Sequence, residues 1–310
     1  MRKQKYRVSI LIPVHNEEKL IGECLKNLSM LPLNKFEIIV GLDGCTDRTE
    51  KIAKKFGFVR IIKSKERVGK AEMLNILFDH AMGEFLIIHD VDWRFIFNKD
   101  SIGRFLEDIG NESLGGIVLP PHNLPFLKNK SIANNEYLNA AVALHYFHKF
   151  LLEKQTKLIN GRLHVDKTKL LYPFPVNIIR NIPMRMKTVA DDLERFYYLI
   201  DSNYDILIYN TPTMPYFEIV KKSFTREEHI RRRIRGHITR KQLEKFYRKR
   251  INYRKLYISF MIYVIKNIPT IRSDVFKILA WQMRIIQAYL KSGEYEVQSP
   301  LTLWEMRDGR

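Results

Sequence analysis

A chain of 310 residues, 45% hydrophobic and 12% aromatic, has enough apolar material for one large domain or two modest ones, and its composition excludes a disordered chain. The formal net charge of +19 points to anionic partners: nucleotides, phospholipid surfaces or nucleic acid. Two cysteines, Cys24 and Cys45, cannot form a disulfide framework; with no secretion signal visible, the expectation is a cytoplasmic protein with free thiols, resting peripherally on the inner face of a membrane.

Val8–Pro13, apolar but for Ser9, reads as a buried first strand. Asn16-Glu17-Glu18 precedes Leu20, Ile21, Cys24, Leu25 and Leu28, a helical spacing with carboxylates in the first turn. Phe36–Leu42 is a second strand. It runs into Asp43-Gly44-Cys45-Thr46-Asp47-Arg48-Thr49, a turn in which Thr46 or Asp47 caps a helix over residues 48–56. Val59–Ile62 is a third strand, Gly69–Asn75 opens another helix, and Phe85–Ile88 is a fourth strand ending at His89-Asp90-Val91-Asp92-Trp93.

Four strands alternating with three helical patterns predict βα units and a mainly parallel sheet flanked by helices. In such a sheet the carboxyl ends of the strands share a rim, where ligands bind, so Pro13, Asp43 and Asp90 are expected together. The commonest phosphate-cradling loops, G-x-x-x-x-G-K-[ST] and G-x-G-x-x-G, are absent from the sequence. A bound phosphate would therefore be held by a metal, basic side chains and backbone amides. Carboxylates at i and i+2, Asp90 and Asp92, present hard oxygen ligands of the kind Mg²⁺ or Mn²⁺ takes.

Residues 115–119 read as a further strand, 131–153 as a helix, and 157–190 as irregular. Asp191-Asp192 starts a helix before the strand Tyr204–Tyr209. From Ile219 to Lys255 the chain carries 15 Lys and Arg against three Glu, most of its net charge. Leu256–Ile265 is then largely apolar, and Phe276, Leu279, Met283, Ile286 and Leu290 repeat at 3,4,3,4 spacing. That spacing predicts core or helix-pair packing; beside a basic segment it also suits an interfacial helix on anionic lipid.

The N-terminal motifs, taken in order, resemble the nucleotide-diphospho-sugar domain of family 2 glycosyltransferases, which has the GT-A fold. They are P-x-x-N-E at Pro13–Glu17, D-x-S-x-D-x-T at Asp43–Thr49, G-K-x-x-x-L-N at Gly69–Asn75 and D-x-D at Asp90–Asp92. The likeness continues more loosely through Asp191-Asp192, Asn203–Ile206 and Arg231–Gly236. Departures include Leu42, Cys45, Asp191 and Ile234, where the family commonly has Asp, Ser, Glu and Trp.

The resemblance implies an α/β catalytic domain over residues 1–218, with a donor half at about 1–120 and an acceptor half at about 121–218. A basic helical region, 219–310, would follow and dock on a membrane surface. It also implies an inverting transfer from a UDP- or GDP-linked sugar to an acceptor hydroxyl, on a glycan or a lipid-linked molecule. Pro13, Glu17 and Asp43 would line the nucleoside pocket, with Asp43 accepting from a base N–H. Lys70 would face the diphosphate, as would Arg233 and Arg235, while Asp92 with Asp90 would hold Mn²⁺ or Mg²⁺. Asp192 would be the general base. Two other readings compete: a non-catalytic polyanion- or membrane-binding protein on the same fold, and a sugar-phosphate nucleotidyltransferase. The first is weakened for nucleic acid because Phe246, Tyr247 and Tyr253 come late in the basic segment and do not interleave with it. The second needs a Gly-rich basic loop that Pro13–Glu17 does not supply.

Overall fold

The computed structural model describes residues 5–119, 135–188, 191–211, 213–219, 225–248 and 251–292. In chain order the elements are β1 (Tyr6–Val14), α1 (Ile21–Leu28), β2 (Phe36–Asp43), α2 (Thr49–Ala53), β3 (Val59–Ser64), α3 (Lys70–His80), β4 (Gly83–Ile88), β5 (Trp93–Ile96), α4 (Lys99–Asp108) and β6 (Leu114–Val118). There follow α5 (Asn135–Gln155), β7 (Thr156–Ile159), β8 (Arg162–Val165), β9 (Ile178–Arg180), α6 (Asp191–Asp201), β10 (Asp205–Ile208) and β11 (Tyr216–Ile219). The chain continues with α7 (Arg226–Tyr247), α8 (Tyr253–Lys266), α9 (Ile268–Ile271) and α10 (Asp274–Ser292). The described residues pack as two compact units, neither continuous in sequence: one from residues 5–119, 174–187, 191–211 and 213–219, the other from residues 135–173, 188, 225–248 and 251–292.

In the first unit the strands run in the order β3-β2-β1-β4-β9-β6-β10. All neighbours are parallel except β9, which is antiparallel to both β4 and β6. The run Phe36–Asp43 is buried throughout, as expected of a central strand covered on both faces. α1 buries Ile21, Cys24, Leu25 and Leu28, one helical stripe, against the same core as Val8, Ile10, Ile12, Phe85 and Ile87. The predicted βα alternation and mostly parallel sheet are thus observed.

Two features of this unit are absent from the sequence reading. β9, only three residues long, inserts antiparallel between β4 and β6, which brings Val176 and Asn177 to the rim where β1, β2 and β4 end. Residues Trp93–Ile96 form β5, which pairs antiparallel with β11 in a separate two-stranded sheet. The helix expected over 48–56 is shorter, Thr49–Ala53, and its N-cap is Arg48, which makes no side-chain cap bond, rather than Thr46 or Asp47; Asp47, one residue earlier, accepts from the Thr49 amide at 2.9 Å.

In the second unit α5 packs with α7, α8 and α10. Phe147 of α5 lies 5.2 Å from Phe260 of α8 and 6.4 Å from Trp281 of α10, ring centre to ring centre. Glu136 ties α5 to α10 and α7, accepting from Arg284 at 2.5 Å and lying 3.0 Å from Nδ1 of buried His229. The stretch expected to be irregular contains a hairpin, β7–β8, closed by Asn160 and Gly161 in the left-handed region. The outcome on α10 corrects the core reading of its 3,4,3,4 repeat. Ile278, Trp281, Ile285 and Ala288 face the interior, whereas Phe276, Leu279, Met283, Ile286 and Leu290 are exposed.

Candidate active site

The Pro13–Glu17 and Asp43–Thr49 loops follow neighbouring parallel strands and are laced together. Asn16 adopts φ 52°, a left-handed conformation that Asn tolerates, and its Oδ1 accepts from the Thr46 amide at 2.8 Å. The Glu17 amide donates to Thr49 Oγ1 at 2.8 Å, and the Glu18 amide donates to Asp47 Oδ2 at 3.1 Å. Gly44 is required twice over: its φ is +56°, and a Cβ there would stand 2.5 Å from the Arg67 amide nitrogen. Close approach of the Gly44 backbone to Arg67 thus fixes the next loop, which ends at Lys70.

Asp43 fastens that loop from below. Its carboxylate is buried and accepts from the amides of Val68 at 2.6 Å and Gly69 at 3.0 Å; its carbonyl oxygen lies 2.6 Å from His15 Nδ1. The residue expected to meet a base N–H therefore also sets where α3 begins. Lys70, the first residue of α3, reaches Asp90 Oδ1 at 2.7 Å and Asp191 Oδ1 at 3.3 Å. Further along α3, buried Asn75 donates to the Met186 carbonyl at 3.1 Å and accepts from its amide at 2.7 Å. This pins the strand of chain that leads towards Asp191.

Asp191 and Asp192 open α6. Arg195, one turn on and 2% exposed, donates to Asp191 Oδ2 at 2.5 Å and to the Val176 carbonyl at 2.8 Å. The Val176 amide returns a bond to the Asp192 carbonyl at 3.1 Å. The start of α6 is thereby clamped to the rim end of β9. Burial disfavours the Asp191 charge, but Lys70 and Arg195 outweigh it and hold its carboxyl down to about 2. Burial also opposes the Lys70 ammonium, and Asp191 and Asp90 reverse that, leaving its pKa above the ordinary lysine value. Asp192 moves the other way: burial and the neighbouring Asp191 charge raise it.

Beneath the D-x-D, His89 is buried edge-on against Phe217, ring centres 5.2 Å apart, with Cys24 Sγ 3.9 Å from its Nδ1. Burial lowers His89 to about 4, so it is neutral at physiological pH; burial and then Asp92 push the Cys24 thiol up to about 12, so it is inert as a nucleophile. Trp93 packs tilted against the same Phe217, ring centres 5.1 Å apart. His89 and Trp93, which carried no role in the sequence, are the floor of the carboxylate loop.

Of the residues singled out in the sequence, Lys70, Asp90 and Asp191 are joined directly, and Asp192 and Asp43 are held by the same framework. Pro13 and Glu17 lie in the loop laced to Asp43–Thr49. Arg233 and Arg235 belong to α7 in the second unit, with the Arg233 guanidinium 5.9 Å from the Trp281 ring centre. Reasoning from sequence missed Arg195 and Asn75 as positioning residues. The available signal was their spacing: i+4 from Asp191 on one helix face, and the last position of the G-K-x-x-x-L-N motif. Among the described residues, no three or more His, Cys, Asp or Glu side chains converge as a complete metal site.

Residues 9–138 match the family model described as "Glycosyl transferase family 2". A Bacillus subtilis protein, Probable glycosyltransferase YdaM, is 35% identical over 99 residues, 29% of this chain and 24% of its own. Glycosyltransferase AglE of Haloferax volcanii is 23% identical over 223 residues, 70% of each chain. Among solved structures, the mannosyltransferase PcManGT from Pyrobaculum calidifontis, in complex with GDP-Man and Mn²⁺, superposes with a TM-score of 0.54 at 17% identity, over 99% of this chain and 86% of that one. The chain spans about a quarter of YdaM's length. Residues 9–138, the stretch that builds β1 to β6, thus resemble a family 2 glycosyltransferase domain, and the chain shares a GT-A-like fold with additional C-terminal helices.

Proposed function

We propose that the chain transfers a sugar from a nucleotide-diphospho-sugar to an acceptor hydroxyl with inversion at the anomeric carbon. One observation carries the reading. Asp43, Lys70, Asp90 and the Asp191–Asp192 pair, from four separate stretches, are organised along one sheet rim, with Lys70 ion-paired to both Asp90 and Asp191. In the proposed step Asp192 takes the proton from the acceptor hydroxyl as its oxygen forms a bond to the anomeric carbon. The bond from that carbon to the diphosphate oxygen breaks, and its electron pair leaves on the nucleoside diphosphate. The raised pKa of Asp192 makes it a stronger base than its neighbour, which suits this assignment.

The carboxylates of Asp90 and Asp92 fit a hard divalent cation. Mg²⁺ and Mn²⁺ are commonly bound by one or two carboxylates with phosphate oxygens completing the set, so a full cage of protein ligands is not needed. Such a cation, when bound, would offset charge gathering on the leaving diphosphate. Lys70 would turn from Asp90 towards that diphosphate, and the Pro13–Glu17 and Asp43–Thr49 loops would hold the nucleoside. A UDP- or GDP-linked donor is proposed, the latter supported by the GDP-Man and Mn²⁺ in PcManGT. The proposed acceptor is a lipid-linked hydroxyl presented at an anionic membrane surface.

The test is a panel of UDP-, GDP- and dTDP-sugars, read by thermal stabilisation with and without Mn²⁺ and then by transfer. One donor class should raise the melting temperature only with the metal, since a ligand stabilises the state that binds it. Asp92→Ala should abolish that shift. If no donor stabilises the chain and none is turned over, the reading fails.

A further inference from the structure

We infer that α8 and α10 form a docking surface for an anionic phospholipid bilayer. This deepens the proposed presentation of the acceptor at a membrane, and it rests on the exposed faces of the second unit alone. α10 turns Ile278, Trp281, Ile285 and Ala288 inward and leaves Phe276, Leu279, Met283, Ile286 and Leu290 outward. α8 behaves likewise, with Leu256, Phe260 and Val264 inside and Ile258, Ile262 and Ile265 outside. The outward side chains are between 43% and 76% exposed, so two helices that both rest on Phe147 each carry a second, unused apolar stripe.

Charge selects the occupant. From Ile251 to Ser292 the sequence has seven Lys and Arg against one acid, Asp274. Asp274 is taken up internally, 2.5 Å from Lys277 Nζ and accepting from Tyr146 at 3.4 Å. Arg254, Lys255, Lys266, Arg272 and Lys291 are exposed. An apolar stripe bordered by cations, with no acid left facing outward among these described residues, matches the interface of an anionic bilayer: aliphatic side chains enter the acyl boundary while the basic ends stay at the headgroups. A second copy would bring the same positive charge against itself, which disfavours self-association through this face. No helix among the described residues is long and apolar enough to cross a membrane, which fits a helix lying in the interface plane.

Flotation of the full chain with vesicles of phosphatidylcholine and phosphatidylglycerol, against phosphatidylcholine alone, tests this. The wild type should float with the anionic vesicles and not with the neutral ones. Leu279→Glu with Ile286→Glu should lower the partition coefficient by about tenfold or more. Both positions are exposed, so the fold should tolerate the change; Ile262→Glu on α8 gives a separate reading should the double variant not fold. Absence of wild-type flotation, or undiminished flotation of the variants, overturns the inference. So does a concentration-dependent dimer that the same substitutions dissolve without any vesicle binding. Flotation needs no donor and no turnover, whereas donor stabilisation needs no vesicles, so failure of one proposal is distinguishable from failure of the other.

Discussion

Asp191 and Asp192 share a peptide bond and are displaced in opposite directions. Lys70 and Arg195 overcome burial to keep Asp191 ionised, and the resulting negative charge joins burial in raising Asp192. In the proposed mechanism two carboxyls driven apart in this way would divide the labour, one a fixed charge and the other a base. The sign of the consequence is definite. An acid whose folded pKa is raised costs stability when ionised, and the cost is relieved as pH falls. Asp192→Asn should therefore stabilise the chain at neutral pH by chemical denaturation. It should also lower transfer by on the order of 10² or more. In the wild type, kcat/KM should fall on the acid side as the Asp191–Asp192 pair takes up a proton, and the apparent value belongs to the pair. Unchanged activity in the Asn variant would remove Asp192 from the mechanism.

At the scale of elements, one buried guanidinium helps tie the start of α6 to the rim end of β9. Arg195 spans Asp191 and the Val176 carbonyl inside the first unit, with almost no solvent contact. Removing one partner of such a pair leaves a buried charge uncompensated. Arg195→Met should destabilise by about 3–5 kcal/mol, and adding Asp191→Leu should restore part of the loss. Because the Asp191 pKa is depressed, from 3.8 to about 2, its stabilising contribution is complete above the unfolded value. It is lost as pH falls from about 4 towards 2, and acid denaturation of the two variants should diverge from the wild type across that window. The strands β1 to β4 were legible because each carries a short run rich in Val, Ile, Leu or Phe closed by a polar turn. β5, β9 and β11 were not, being three or four residues long with no period to read, and their pairing depends on partners far along the chain. β9 matters most, because its antiparallel insertion delivers Val176 to Arg195.

For the whole molecule, sequence order and spatial order diverge. Among the described residues, 135–173 pack with the C-terminal helices, while 174–187 and the chain from 191 to 219 return to the first unit. Nothing local in the sequence announces such a return, whereas the four N-terminal motifs are local and were readable. The final helix shows the same limit in reverse: its strongest periodicity, Phe276 to Leu290, marks the outward face, and the weaker row through Trp281 is the one that packs. A 3,4 repeat identifies a face without saying which way it points.

Lys70 has a last consequence for the molecule as a whole. Its ammonium, with the Arg195 guanidinium on Asp191, supplies internal counter-charge to Asp90 and Asp191, so these two carboxylates are balanced by the chain itself. Folding is therefore expected to be uncoupled from metal supply, unlike small domains whose fold is completed only by their ion. Chelation should accordingly silence transfer while leaving the melting temperature of the donor-free protein unchanged, and adding Mn²⁺ back should restore activity without any refolding step.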